Sequence, residues 1–406
     1  MNDAHALRFQ FILSLSFLLA REQEIKMEDQ FLSEVHLDLK SNLIDASKLT
    51  DLAKQKYVTR IPLLMEDFSV KNSSVDSFES LDDSNLFGSS SDKISESAEV
   101  PDLDEDGDFK INRNAPEDKS PTMLTYVHCK QTNLLSVGLQ IWRASLFLLD
   151  FIFSKSGDTV FDKDSHCIEL GCGIGVCSSI LQMKVKCLIA TDKYENILDL
   201  CLENMRIQLE NNLLKVDKNT EVLFSQSATP CGTKDCRILD WFEISEIFDS
   251  MDFPNRDVLI SYFKSKSTLS LLDSDNAAKF CWSKRDISNL TKTNKIIAAD
   301  CIYEKPLTIA FFKTLMTLCI ISEEKEIQIF IAVEKRLNFT IEDLDITSPC
   351  YNHFIKILKH LEKHNKIINS WKMDGSFKVT QIKSFEQVIC YERNNSLELW
   401  AVTYIR

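Results

Sequence analysis

The stretch Glu169-Leu-Gly-Cys-Gly-Ile-Gly175, called the glycine turn below, decides the fold class of this chain. It follows a short apolar run, His166-Cys-Ile168, and opens onto Val176–Met183, whose apolar spacing is that of a helix. Glycine lets the backbone take positive φ angles and approach a ligand closely. The first turn of a helix leaves backbone N–H groups unpaired. The sequence therefore predicts a ligand-binding turn in an α/β protein, with a tight turn of purely structural role as the alternative.

The glycine turn departs from the pattern of dinucleotide-binding turns. Those turns follow G-x-G-x-x-G, and the third glycine lets the helix pack against the strand beside a pyrophosphate. Here Val176 occupies the third glycine position, and Glu169 precedes the first glycine. An acidic residue beside the turn suits a ligand with a cationic amine better than one with two phosphates. The turn thus favours S-adenosylmethionine, a sulfonium methyl donor, over a nicotinamide dinucleotide.

Composition and charge restrict the class of partner. A length of 406 residues leaves room for one large domain or two ordinary ones, and 44% hydrophobic residues are typical of a soluble globular protein. The net charge is −14, and most of it lies between Glu66 and Asp118, where 16 residues are acidic and 4 basic. Acidic surfaces repel phosphate backbones. We therefore expect no direct nucleic-acid partner and favour a protein partner with a basic segment.

Cysteine usage and the N-terminus bear on the compartment. The 13 cysteines are odd in number and contain no C-x-x-C pair, which indicates reduced thiols of the cytosol or nucleus. The run Phe9–Ala20 has the length of a signal-peptide apolar region, but its positive flank is weak and no small-residue cleavage site follows. It is too short to span a bilayer. We expect an intracellular monomer, in the nucleus, the cytoplasm or both, without membrane attachment; a true start at Met27 stays open.

The chain divides into three predicted regions: an N-terminal extension over 1–65, partly ordered, an acidic disordered linker over 66–120, and one α/β domain over 121–406. The linker contains Asp102–Asp108, which begins like a calcium-binding loop. The twelfth position of that loop requires glutamate and is Arg113 here, so we predict no calcium site.

Within the domain, apolar patterns predict strands alternating with helices. The expected strands are 166–168, 185–191, 236–239, 296–299, 327–333, 381–391 and 397–404, and the expected helices are 137–152, 176–183, 194–211, 307–322 and 351–364, with an insertion at about 243–290. This alternation predicts a doubly wound, mostly parallel α/β sheet with helices on both faces. The closing pair of strands predicts an antiparallel edge.

Polar and aromatic residues follow successive strands at their carboxyl ends, where doubly wound sheets bind ligands. Asp192 ends the second strand and can accept bonds from ribose hydroxyls; Asp240-Trp241 ends the third; Asp300-x-x-Tyr303 ends the fourth. Each has a structural alternative: Asp192 as a helix cap, Trp241 as core, and Tyr303 as a partly buried aromatic. Together they predict one site at this edge of the sheet.

These residues resemble a known family. Gly138-x-x-x-Trp142, the glycine turn, Thr191-Asp192, Leu239-Asp-Trp241 and Ala299-Asp-Cys-Ile-Tyr303 are similar to motifs of the seven-β-strand protein methyltransferases of the methyltransferase-like 21 group and relatives. The match covers about 134–406 well. Segments that resemble one family member more closely are Ser33–Leu37, Asp104–Asp108, Val333–Thr340, Tyr391–Arg393 and Leu397–Trp400. No Pro-Pro pair, as in the [DN]-P-P-[YF] motif of nucleic-acid amino methyltransferases, occurs in the chain.

The resemblance implies a seven-stranded Rossmann-like methyltransferase sheet and methyl transfer from S-adenosyl-L-methionine to a lysine side chain of a protein. Carried over by position, the cofactor-binding residues are Trp142, Glu169, Gly171, Cys172, Gly173, Asp192, Trp241 and Ala299. Asp300 and Tyr303 are the implied catalytic residues of the lysine channel. Cys172 and Ile174 replace the more usual Ala and Thr, and the segment after Trp241 is long, which leaves the substrate side less defined.

Two alternative functions stay open at this point: a non-catalytic module that keeps the fold to recruit partners, and a methyltransferase acting on a non-protein substrate. We predict no metal site. His360 and His364 are four residues apart, but their sequence is not H-E-x-x-H, and Cys231 and Cys236 lack the further ligands that zinc requires.

Overall fold

A seven-stranded sheet forms the centre of the computed structural model, which describes residues 31–32, 41–43, 56–64, 123–214, 233–268, 279–336, 338–340, 345–363 and 375–406. In chain order the strands are β1 (His166–Leu170), β2 (Cys187–Asp192), β3 (Thr233–Ile238), β4 (Lys295–Ala299), β5 (Glu326–Glu334), β6 (Ser376–Ile382) and β7 (Leu397–Ile405).

The spatial order of the strands is β3-β2-β1-β4-β5-β7-β6. Strands β1 to β5 run parallel, whereas β7 is antiparallel to both of its neighbours, β5 and β6. The order reverses between β1 and β4, and ligands of doubly wound sheets bind outside the carboxyl ends of the strands at such a point. The predicted fold class, a mostly parallel seven-stranded sheet with an antiparallel edge region, is confirmed.

Helices cover both faces of the sheet. They are α1 (Arg143–Phe153), α2 (Lys155–Val160), α3 (Ser178–Lys184), α4 (Glu195–Leu214), α5 (Trp241–Ser250), α6 (Arg256–Thr268), α7 (Lys284–Leu290), α8 (Lys305–Ile321) and α9 (Pro349–Lys363). Alternate strand residues point to opposite faces. On β2, Leu188 and Ala190 belong to a core cluster that includes residues of α1, α3 and α4, whereas Ile189 belongs to a second cluster that includes residues of α5, α6, α8 and α9.

Shorter elements precede and follow this core. The strands Ser41–Leu43, Tyr57–Pro62 and Met123–His128 form an antiparallel sheet, and Phe31–Leu32 pairs with Gln131–Thr132, as Asn338–Thr340 does with Asp345–Thr347. The strand Met123–His128 contacts α4: Asn204 accepts from the Val127 N–H at 2.7 Å and donates to the Val127 and Ile174 carbonyls. One asparagine on α4 therefore joins the N-terminal sheet to the glycine turn.

The predicted strand at 381–391 is wrong in position. The strand is Ser376–Ile382, and most of 383–396 runs without strand pairing. The buried Asp150 carboxylate on α1 explains the difference, because its Oδ1 accepts the N–H groups of Val388 and Ile389 at 2.8 and 2.9 Å. Those donors are then not available to a sheet ladder.

Two further predicted regions are the insertion at 243–290 and the acidic linker at 66–120. The segment 243–290, expected as an insertion, includes α6, α7 and most of α5, while the acidic linker at 66–120 lies outside the described residues.

Among the described residues, 134–153 is long and apolar enough to cross a membrane by length and composition alone. It forms the 3-10 helix Leu134–Leu139 followed by α1, and 67% of its most apolar window is buried against the rest of the chain.

Asp150 gives a stability test of this packing. Besides the two N–H groups, the carboxylate accepts from the Tyr391 hydroxyl at 2.9 Å and faces Arg393 at 3.6 Å. Replacing Asp150 with Ala leaves these buried donors unpaired, so we expect the free energy of unfolding to fall by about 3 kcal/mol. Urea denaturation followed by circular dichroism measures the change.

The matched control is Asp199→Ala, which removes an exposed carboxylate paired with Lys279. An exposed ion pair contributes little, and the expected change is within about 0.5 kcal/mol. Equal midpoints for the two variants would contradict the anchoring role of Asp150.

Candidate active site

One cavity of about 780 Å³ contains every site residue that the sequence predicts. They are Trp142, Glu169, Gly171, Cys172, Gly173, Asp192, Trp241, Ala299, Asp300 and Tyr303. They come from the 3-10 helix region and from the carboxyl ends of β1, β2, β3 and β4, as the topology requires. The volume lies within the range of roughly 300–1,000 Å³ that is typical of small-molecule sites.

The glycine turn packs too closely to accept side chains at two positions. Gly171 and Gly173 have φ angles of +66° and +52°, which strain any residue with a Cβ. A Cβ on Gly173 would lie 2.9 Å from the Gly138 carbonyl oxygen, and one on Gly171 would lie 2.9 Å from Cys301 Sγ. The Asp192 Oδ2 accepts the Gly173 N–H at 3.1 Å and fixes the turn against the end of β2. Bare backbone therefore faces the cavity at this edge.

The two acidic residues beside the turn are hydrogen-bonded, Glu169 fully buried and Asp192 partly buried. Glu169 accepts the Ser178 hydroxyl at the start of α3, and burial raises the pKa of its carboxyl group to about 8. Asp192 also accepts the Lys193 N–H at 2.7 Å, and burial raises its pKa above the ordinary value. Each carboxylate oxygen can accept two hydrogen bonds. Both groups can therefore hold protein donors and still bind polar groups of a ligand.

Two indoles form apolar walls of the cavity. The Trp142 Nε1–H donates to the Val137 carbonyl at 2.9 Å, which fixes the ring at the start of α1. Trp241 begins α5 and meets Phe311 edge to face, with 5.2 Å between ring centroids. The alternative interpretation of Trp241 as core holds in part, because this half-buried ring packs against the core of α8 and also lines the cavity.

Asp300 follows β4 in an unusual backbone conformation. Its φ of +56° is the only positive value at a non-glycine position among the described residues. Aspartate and asparagine take this left-handed conformation more readily than other side chains. The Asp300 N–H donates to the Ala332 carbonyl at 3.0 Å, and its Oδ2 accepts from Arg336 Nη2 at 2.5 Å. The strained backbone holds the carboxylate at the cavity wall.

Tyr303 lies three residues further on and is 37% exposed. Partial burial and the acidic groups around it raise the pKa of its phenol well above the usual value. Its hydroxyl therefore stays protonated at neutral pH. Within the described part of the chain, no residue hydrogen-bonds to this hydroxyl. The phenol oxygen is thus open to a ligand in the cavity.

The sequence interpretation missed the charged residues at the carboxyl end of β5. Glu334 and Arg336 line the cavity, and Arg143 on α1 donates to Glu334 Oε1 at 3.2 Å. The Arg336 guanidinium carbon lies 4.8 Å from the centroid of the Trp142 ring. Doubly wound sheets bind ligands at the carboxyl ends of their strands, and this rule, which was used for β1 to β4, applies equally to β5. It therefore predicts Glu334 and Arg336 as site residues.

Three buried thiols lie beneath the glycine turn. Cys201 on α4 contacts the thiol of Cys172, and the Cys236 Sγ lies 3.8 Å from the Cys201 Sγ. Burial raises the pKa of Cys172 well above the usual value, and a hydrogen bond to a neighbouring thiol together with burial does the same for Cys201 and Cys236. In the described ranges, no group of three or more His, Cys, Asp or Glu side chains could hold a metal ion. Cys231 and His364 lie outside those ranges.

Comparison with known proteins identifies the relatives of this chain. Residues 124–228 match a family model described as lysine methyltransferase. Methyltransferase-like protein 22 of Homo sapiens is 30% identical over 279 residues, which are 68% of this chain and 56% of the human protein. The Mus musculus protein of that name is 29% identical over 350 residues, 76% of this chain and 74% of the mouse protein. The aligned region thus spans little more than half the length of the human relative.

Two solved structures show low similarity to this chain. An O-methyltransferase from Bacillus cereus in complex with SAH is 9% identical, covers 65% of this chain and 80% of its own, and has a TM-score of 0.30. A Streptococcus mutans protein in complex with SAH is 15% identical, covers 66% of this chain and 100% of its own, and has a TM-score of 0.29. The fold assignment therefore rests on the strand order of the seven-stranded sheet.

The family member that the sequence analysis pointed to is methyltransferase-like protein 22, and that resemblance is confirmed. The match of residues 124–228 to a lysine methyltransferase family model supports the predicted cofactor, S-adenosyl-L-methionine. The chain thus has a seven-stranded, mostly parallel α/β sheet, matches a lysine methyltransferase family model over residues 124–228, and is similar in sequence to methyltransferase-like protein 22.

Proposed function

We propose that the protein transfers a methyl group from S-adenosyl-L-methionine to a lysine side chain of a protein substrate. The observation that supports this best is the acidic character of the cavity beside the D-x-x-Y segment. Six acidic residues, among them Asp300, Glu304 and Glu334, line the same cavity as the glycine turn, against two basic ones, Lys193 and Arg336. Carboxylates attract a cationic acceptor and repel the phosphates of a nucleic acid. A basic protein segment bearing the target lysine is the partner that fits this surface.

The residues at the carboxyl ends of β1 to β3 suit the cofactor. The bare backbone of the glycine turn allows close approach, Asp192 can accept from ribose hydroxyls, and the Trp142 and Trp241 rings offer apolar walls. The bound cofactor supplies a methyl group already activated by its sulfonium. The protein's contribution is therefore to position the acceptor, keep it neutral and exclude water.

The acceptor amine has to lose one proton before methyl transfer. A lysine amine has a pKa of ~10.4 and must lose a proton before it can attack. We propose that Asp300 orients the incoming amine while the Tyr303 oxygen accepts a hydrogen bond from it. Because the phenol stays protonated, Tyr303 acts through its lone pairs and not as a base. Desolvation within the cavity favours the neutral amine.

The experiment that tests the function is methyl labelling. The protein is incubated with tritiated S-adenosyl-L-methionine and a cell lysate, and labelled products are digested and analysed by mass spectrometry. We expect the label on lysine side chains of protein. Label in RNA or in small molecules would overturn the proposed substrate class, and cofactor binding without any transfer would favour a recruiting module. Nuclear or cytoplasmic location and the monomeric state stay predictions.

Replacing Asp300 with Asn separates binding from turnover. Asparagine keeps the shape of the side chain and tolerates positive φ, so the backbone strain is preserved. We expect calorimetric affinity for the cofactor within about threefold of the wild type, and turnover lower by about 100-fold or more. The control Asp199→Asn, on an exposed carboxylate of α4, should change neither. Equal loss of affinity and turnover would assign Asp300 a structural role.

Replacing Gly173 with Arg tests the cofactor end. A side chain at this position meets the Gly138 carbonyl at 2.9 Å and takes a φ that only glycine adopts without strain. We expect binding of S-adenosylhomocysteine to be abolished while the circular dichroism spectrum of the protein is kept. Binding within tenfold of the wild type would place the cofactor away from this turn.

Glu169 gives a pH-dependent prediction for cofactor binding. Its pKa of about 8 means that the carboxyl group is mostly protonated at pH 7 in the free protein. A cationic amine bound nearby favours the carboxylate and lowers that pKa. Binding then releases a proton, and affinity rises with pH from about 6 to about 8 by linkage.

Titration calorimetry in two buffers with different ionisation enthalpies measures the proton release. The Glu169→Gln variant is the control, because it cannot ionise at this position and should lose that part of the release. Identical proton release by the wild type and Glu169→Gln would show that Glu169 does not respond to the cofactor.

A further inference from the structure

The Asp300 carboxylate has a counter-ion at the cavity wall. Arg336 Nη2 donates to Asp300 Oδ2 at 2.5 Å, and the Asp300 side chain is only 5% exposed whereas that of Arg336 is 38% exposed. The guanidinium carbon of Arg336 also lies 4.8 Å from the centroid of the Trp142 ring. A carboxylate and an aromatic face together fix the position of this cation. Arg336 therefore covers the solvent side of Asp300.

A counter-ion at this position resolves a conflict between binding the target amine and deprotonating it. A buried carboxylate without compensation stabilises a nearby ammonium ion, because an opposite charge within about 4–6 Å favours the charged form of the amine. Methyl transfer requires the neutral amine. Asp300 alone would thus bind the target side chain well and hold it in the form that cannot react. A positive charge fixed on Asp300 removes that penalty and leaves its oxygen atoms able to orient the amine.

The surrounding charges make Arg336 the cation that decides this balance. Glu334 on β5 is paired with Arg143 on α1, at 3.2 Å. The other ionisable groups that act on Tyr303 are Asp192 at the end of β2, Glu304 before α8 and the Cys301 thiol. These groups are acidic or neutral, and Lys193, the other basic residue of the described cavity lining, is paired with Asp240 at 3.1 Å. Loss of Arg336 therefore removes one positive charge from an already acidic site.

We infer that Arg336 is a positioning residue that compensates the charge of Asp300, so that Asp300 orients the acceptor amine without retaining it as an ammonium ion. The inference rests on the proposed lysine-methylating function. It assigns the deprotonation to the electrostatics of the site: the proton of the ammonium passes to solvent water, and no side chain of the chain needs to act as a base. Trp142 then has a second role, since its ring keeps the guanidinium over Asp300.

The test measures the protonation of a bound probe and needs no turnover. The probe is Nα-acetyl-lysine N-methylamide labelled with ¹³C at Cε, whose chemical shift reports the charge of the amine. It is titrated with pH in the presence of the full chain loaded with S-adenosylhomocysteine. In the wild type we expect the bound amine to have a pKa below that of the free probe.

The Arg336→Gln variant should raise the pKa of the bound amine by about one unit relative to the wild type. The ammonium form of the probe should then bind about tenfold more tightly at pH 7. Arg336→Lys keeps a positive charge beside Asp300 and should restore the pKa of the wild type. A purely structural role would not produce this rescue by charge.

Arg256→Gln is the matched control. Arg256 on α6 has a side-chain exposure of 37% and donates to Glu323 at 2.6 Å, yet it does not line the cavity. The same chemical change there should leave the bound amine unaffected. All variants are first checked for affinity to S-adenosylhomocysteine, which should stay within about threefold of the wild type.

Three outcomes separate the claims. Equal pKa values of the bound amine in Arg336→Gln and Arg256→Gln would overturn the role of Arg336 and leave the proposed function intact. Restoration by Arg336→Lys supports charge compensation, and its absence would overturn it. No binding of the probe to the loaded wild type would overturn the lysine channel, and with it both proposals.

Discussion

The hydrogen bond from the Gly173 N–H to the Asp192 carboxylate joins the ends of the neighbouring strands β1 and β2, and the site depends on it. It fixes the glycine turn, whose glycines take positive φ, against the end of β2. The Cys172 N–H adds a second connection to the Thr191 carbonyl at 2.9 Å. With β1 and β2 fixed to each other in this way, the cavity has a rigid edge. The residues that follow β3, β4 and β5 are then positioned relative to that edge.

Much of this arrangement could be predicted from the sequence, because it follows from local patterns. The glycine turn, the apolar runs and the polar residues that follow them are contiguous segments, and each indicates its own element. Parallel strands bring their carboxyl ends to one edge, so residues more than 150 positions apart in the chain, such as Trp142 and Tyr303, could be assigned to one site. The resemblance to a family refined which of these residues face the cofactor and which face the acceptor.

The parts that could not be predicted depend on contacts between distant segments. Nothing near Val388 shows that Asp150 takes its N–H group, yet this contact converts a β-like sequence into an extended loop. The Asp300–Arg336 pair is similar, because its partners belong to β4 and β5 and the charge of Arg336 alone predicts a solvated side chain. Trp241 lies between the two cases: its position at a strand end was evident, but its packing against Phe311 was not. Sequence patterns indicate the elements, and the pairing of polar groups between elements needs the fold.

The buried thiols beneath the glycine turn give the chain an internal reporter of its own motion. Cys172 lines the cavity, but Cys201 and Cys236 are inaccessible while the turn is packed against α4. An alkylating reagent can reach them only during a local opening. Their rate of modification therefore reports how often this part of the site unfolds. The exposed thiol of Cys390 supplies an internal reference in the same molecule. Peptide mapping of the two classes of cysteine would compare their modification rates and so give the rate at which this part of the site opens.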